Sequence, residues 1–152
     1  MKTSGKITLW ISRVLVWLVI ALLIALTFTI PKITDYYIEH LAHIANAASL
    51  RTPTIVFIYA SLVPAFIAII ALAAMLRNIS KDNIFIRLNV DLLRAIHLAC
   101  FAEAIIFFVF GFWYNLAFIL SFAALFIGIM LRVVMNLMAH ATDIKDENDY
   151  TI

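Results

Sequence analysis

The chain reads as an all-α integral membrane protein, a four-transmembrane-helix bundle with an amphipathic outer-loop helix. Three observations lead there. Hydrophobic residues make up 66% of the 152 residues and charged residues only 13%. Soluble domains run near 45–50% and about 25%, so lipid must solvate much of this surface. The apolar residues gather in four stretches, each near the ~20 residues that cross a ~30 Å hydrocarbon core. The charged residues gather between those stretches.

The first span, 14–30, follows Lys2, Lys6 and Arg13 and ends at Pro31. It is longer than the ~7–15-residue apolar core of a cleaved signal, so it is expected to remain as a span. In the outer loop, 31–53, Ile33, Tyr37, Leu41, Ile44 and Ala48 recur at spacings of three and four, one face of a helix. Asp35, Glu39 and His43 occupy the other face. Such a helix lies on the outer leaflet or caps the bundle. His40, His43 and Glu39 come close on it, but a ligand set on one exposed helix without cysteine is a weak metal signal. No metal or other cofactor is expected.

The second span is 54–76. The inner loop, 77–91, carries Lys81-Asp82-Asn83 as turn chemistry. Asn89 stands where a helix cap belongs, with Asp91 in the first turn. The third span, 92–112, and the fourth, 114–135, are joined by the short turn Gly111–Asn115, so they are antiparallel neighbours. Phe112, Trp113 and Tyr114 suit an aromatic belt at the outer interface, as Trp10 and Trp17 do at the inner one. The tail, 141–152, is acidic: Asp143, Asp146, Glu147 and Asp149 stand against Lys145.

Loop charge sets the orientation. Lys2, Lys6, Arg13, Arg77, Lys81, Arg87, Arg94, Arg132 and Lys145 fall on one side and only Lys32 and Arg51 on the other. The positive-inside rule then makes both termini and the middle loop cytoplasmic. Arg77, Lys81, Arg87 and Arg94 are candidates to meet anionic headgroups or a partner, beside their plain role as topology determinants. Asp146, Glu147, Asp149 and Tyr150 give the tail charge and an apolar anchor, which suits docking to the basic inner surface or to a partner. A solvated, self-repelling end is the plainer reading.

Glu103, near the middle of the third span, carries the most information. An ionised carboxylate there costs on the order of 3 kcal/mol on insertion scales, so it is expected to face the bundle interior with a partner. By the ~1.5 Å rise per residue, Ser61 on the second span and Ser121 on the fourth lie at its depth. Pro64 frees the carbonyl of Ala60 nearby. Tyr59 is placed to cap the cavity these groups would line. The functional reading is a ligand, proton or ion site. The structural reading is an interhelical hydrogen bond. His97 falls about 120° away around the same helix.

Catalysis has little to stand on. Cys100 is the single cysteine, which excludes an internal disulfide and paired-cysteine redox chemistry. The four histidines divide between the two sides, so no constellation meets the geometry of an active site. A net charge of +2 argues against direct nucleic-acid binding.

Asn83-Ile84-Phe85, then Asn89, then Leu93-Arg94, with the ending Glu147-Asn148-Asp149-Tyr150-Thr151-Ile152, resembles the YoaS-like bacterial membrane proteins, catalogued as a domain of unknown function. Tyr150 stands where that ending would carry leucine. The resemblance implies a plasma-membrane protein of four spans. Its members are often encoded beside a small helix-turn-helix regulator, which implies a membrane partner for a cytoplasmic transcription factor. The expected function is therefore a small membrane sensor or regulatory protein, able to form a homo-oligomer. A small oligomeric transporter or channel built on Glu103 is the alternative.

Overall fold

A peptide group in hydrocarbon has no water to bond, so an apolar stretch crosses as a helix that closes its own hydrogen bonds. A computed structural model of the chain, which describes residues 3–40 and 47–149, contains four such helices. They are α1 (Thr3–His40), α2 (Ala47–Ile79), α3 (Arg87–Phe110) and α4 (Leu116–Asp149). All four are long and apolar enough to cross a membrane. α1, α2 and α4 run well beyond the hydrocarbon; the 38 residues of α1 extend about 57 Å at ~1.5 Å per residue.

Packing follows chain order. α1 lies on α2, α2 on α3 and α3 on α4. Among the described residues the backbone of α1 does not closely approach that of α3 or α4, nor does α2 approach α4. The bundle is therefore open. Its outward surface is apolar: Phe28, Ile105, Leu116 and Phe122 are all exposed, as contact with lipid requires.

α3 and α4 form the most extensive pair, and small side chains are the reason. Ala104, Ala117 and Ser121 are buried on these two helices, and the Ser121 hydroxyl meets the Ala104 carbonyl. A methyl added at Gly128 would sit 3.3 Å from the Cβ of Cys100, so the two backbones approach closely there. The turn between them spans 111–115, as the sequence predicts. Phe110 and Trp113 both pack on Phe57 of α2, with ring centroids 5.0 and 5.4 Å away.

Several expectations about the loops need correction. α1 does not end at Pro31. Proline removes one helical donor and leaves the carbonyl of Thr27 without its usual partner. The hydroxyl of Tyr59 on α2 donates to that carbonyl at 2.9 Å, and the helix continues to His40. The amphipathic outer segment is thus helical as a continuation of α1, and α2 opens at Ala47. Leu41, His43 and Ile44 lie outside the described residues. The face that packs is also different: Ile30 and Thr34 are buried, whereas Ile33 and Tyr37 are exposed. Arg51 of α2 joins Asp35 through two hydrogen bonds, Nε to Oδ1 at 2.5 Å and an NH2 nitrogen to Oδ2 at 3.1 Å.

At the other end, Asn89 is not the cap of α3. That position belongs to Ile86, in extended conformation, and Asn89 lies inside the first turn. The predicted turn at Lys81-Asp82-Asn83 is present, with Asp82 at φ 61°, the left-handed region that Asp tolerates better than most side chains.

A methyl added at Gly111 would lie 2.6 Å from the Phe118 ring. Gly111→Ala is expected to lower stability in detergent by about 1–3 kcal/mol through overpacking, read as a shift in the unfolding midpoint with far-UV helicity retained.

Candidate functional site

The carboxyl inside the hydrocarbon and the side chain that meets it come from α3 and α2. Ser61 tolerates mid-helix placement because its hydroxyl turns to the neighbouring helix, where it donates to Glu103 Oε2 at 2.7 Å. Glu103 is half-buried on the α2-facing side of α3. A small cavity of about 90 Å³ adjoins Ser61, walled by Phe57, Ile58, Ile106, Phe107 and Phe110; Glu103 does not line it. One carboxyl and one hydroxyl in an apolar surround can bind a proton or one small polar group. They also tie α2 to α3.

The other predicted members of this site are elsewhere. Ser121 is buried and donates to the carbonyl of Ala104 at 2.7 Å, which joins α4 to α3. It shares Glu103's depth and faces the other side of α3. Tyr59 serves the Thr27 carbonyl on α1. His97 is buried, with Nδ1 2.7 Å from the Arg94 carbonyl and its ring edge-on to Phe101 at 5.7 Å. Among the described residues no three His, Cys, Asp or Glu side chains converge to hold a metal ion.

The second cluster forms at the basic end, around the α2–α3 connection, which α1 reaches through Arg13 and Ser80 and beside which the end of α4 meets Arg87. Its centre is Asn89, which is fully buried. Its amide nitrogen donates to the carbonyls of Asn83 and Ile84 at 2.9 and 2.8 Å, and its carbonyl accepts from Asn78 at 2.8 Å. One side chain thus ties the end of α2, the connecting loop and the start of α3. Arg13 of α1 donates to the hydroxyl of Ser80. Arg94 pairs with Asp91 one turn earlier on its own helix, at 2.9 Å.

Arg87, the first residue of α3, reaches α4. Its guanidinium lies 2.8 Å from Asp143 and 3.5 Å from Asp146. The acidic tail is therefore helical through Asp149 and docked on the basic end through residues one turn apart. Glu147 lies on the last turn of α4. Tyr150 lies outside the described residues, and the side chain of Asp149 is not described. Arg77 and Lys81 face a separate cavity at this end.

The sequence left two signals unread. Pro31 announces a carbonyl in need of a donor at Thr27, though not which helix supplies it. Asn78, Asn83 and Asn89 in one loop announce an amide network.

Comparison with known proteins bears on what these sites serve. A family described as protein of unknown function (DUF2975) matches residues 36–152. The chain belongs to this family. It is similar to the uncharacterized membrane protein YoaS of Bacillus subtilis (strain 168), at 27% identity over 159 aligned positions that cover 95% of this chain and 97% of that protein. No solved structure matches. The family thus supplies a membrane-protein character, and neither description names an enzymatic activity.

The Ser61–Glu103 bond is expected to couple by about 0.5–1.5 kcal/mol in a double-mutant cycle of Ser61→Ala and Glu103→Leu, the range for a net hydrogen bond. Unfolding in mild detergent gives the value. Asn89→Ala leaves Asn78 and two loop carbonyls without their partner and is expected to cost more, about 2–3 kcal/mol.

Proposed function

We propose that the protein is a membrane-embedded regulatory device whose output element is the acidic end of α4. The carrying observation is the pair of contacts from Arg87 to Asp143 and Asp146. Their side chains are 70%, 46% and 43% exposed. Ion pairs that exposed contribute only ~0–1 kcal/mol each, so a partner with a better cationic surface can take the carboxylates from Arg87. A helix-turn-helix transcription regulator in the cytoplasm is such a partner, because its nucleic-acid surface is basic. The excess of basic residues at this end supports a plasma-membrane topology with both termini in the cytoplasm. In this reading Glu103 is the input, a group whose protonation or ligation shifts α2 against α3.

A second reading is a small oligomeric transporter or channel. It draws on Glu103, which is not fully buried, in an open row of helices, where a second copy can complete the site. Flux through reconstituted vesicles that persists at the wild-type rate in Glu103→Gln would remove it.

Full-length protein, extracted in mild detergent from its host, is expected to capture a helix-turn-helix protein. A form lacking residues 143–152 loses that capture, and Arg87→Gln, which frees the acids, increases it. Equal capture with and without the tail, or capture of no cytoplasmic protein, would sink the regulatory reading.

A further inference from the structure

A cavity of about 710 Å³ opens at the basic end between α1, the end of α2 and the start of α3. Three cations line it, Arg13, Arg77 and Lys81, and no Asp or Glu does. None of the three has a carboxylate partner among the described residues. Arg13 is steered by its bond to Ser80, whose own hydroxyl donates to the Arg77 carbonyl at 2.7 Å. The cationic charge is thus concentrated by the fold and left unneutralised.

Below the cations the walls are apolar: Val16, Trp17, Ile70, Ala73 and Leu92. Ile70 lies seven residues before Arg77 on α2, about 10 Å deeper at ~1.5 Å per residue. Trp17 lies about 6 Å deeper than Arg13 on α1 by the same rise. An indole there suits the boundary between headgroups and acyl chains. A cationic rim above an apolar trough of this depth matches an amphiphile with a phosphate head. A soluble anion would use the rim and leave the trough exposed. In a membrane the molecules that reach such a trough from the side are lipids.

We infer that this cavity is a binding site for an anionic phospholipid of the adjoining leaflet. Its phosphate sits on Arg13, Arg77 and Lys81, and one acyl chain lies along Val16, Ile70 and Ala73. The bound lipid bridges α1, α2 and the start of α3 at the end where the packing is open. The site stands whether or not the tail of α4 binds a regulator.

The test uses the full chain in mild detergent, with equal phosphatidylglycerol and phosphatidylethanolamine supplied and retained lipid read by native mass spectrometry. Phosphatidylglycerol is expected to be retained in preference. Removing one charge by Arg77→Gln should lower that preference about fivefold, the equivalent of ~1 kcal/mol per cation near the headgroups. The combined Arg13→Gln, Arg77→Gln and Lys81→Gln protein should show none, and the three single substitutions carry the test if the combined form does not fold. Arg132→Gln removes a cation outside the cavity and leaves the preference intact. Ala73→Phe keeps every charge, obstructs the trough and reduces retention, which separates a seated acyl chain from surface attraction. Equal retention of the two lipids by the wild type would overturn the site. So would an unchanged preference in the charge variants, or displacement of the lipid by inorganic phosphate.

Discussion

Every peptide group that enters the hydrocarbon must find its hydrogen-bond partner within the protein, and the rest of the structure depends on that demand. It makes the four apolar stretches helical. It also decides what happens at the one place where α1 cannot satisfy itself. Pro31 takes away the donor for the Thr27 carbonyl, and Tyr59 of α2 restores it at 2.9 Å. A breach in one helix thereby becomes a tie between two. Ser121 works in the same direction, since its hydroxyl meets the Ala104 carbonyl across the α3–α4 interface.

With apolar side chains on all faces, hydrophobic burial gives little reason for one helix to choose another. Shape and polar pairing make the choice. Ala104, Ala117 and Gly128 let α3 and α4 approach closely. The α2–α3 contact relies on Ser61 with Glu103 and on Phe57 against Phe110 and Trp113. Among the described residues the backbone of α1 comes close only to that of α2, tied by Tyr59 near mid-span and by the Arg51–Asp35 pair at the end with the Gly111–Asn115 turn. The charged cavity lies at the foot of α1, where Arg13 reaches Ser80.

The two ends of the molecule differ in kind. The end with the Gly111–Asn115 turn is aromatic, with Phe110 packed against both Phe57 and Tyr114. The basic end is built from a buried amide network around Asn89 and a shell of exposed charge, including the contacts from Arg87 to α4. Buried satisfied polar groups specify one arrangement, whereas exposed ion pairs exchange partners at little cost. A fixed frame carrying exchangeable contacts is what a responsive surface needs.

The sequence by itself determined the class, the number of helices, the short α3–α4 turn and the depth of Glu103. These depend on hydropathy along one dimension and on a constant rise per residue. It also picked Ser61 as a partner from depth alone. Depth does not say which way a side chain faces, so Ser121 at the same level turned out to serve α3's backbone, and Tyr59 to serve α1. Asn89 was legible as a special residue at the start of α3, but its bonds run to Asn78, Asn83 and Ile84 rather than capping α3. The continuation of α1 past Pro31, the docking of the acidic tail on Arg87 and the cavity beneath Arg13, Arg77 and Lys81 were decided only by tertiary structure. Each depends on the rotation of a helix about its axis and on which neighbour it meets. Those are set by packing between residues far apart in the chain, and no local pattern encodes them.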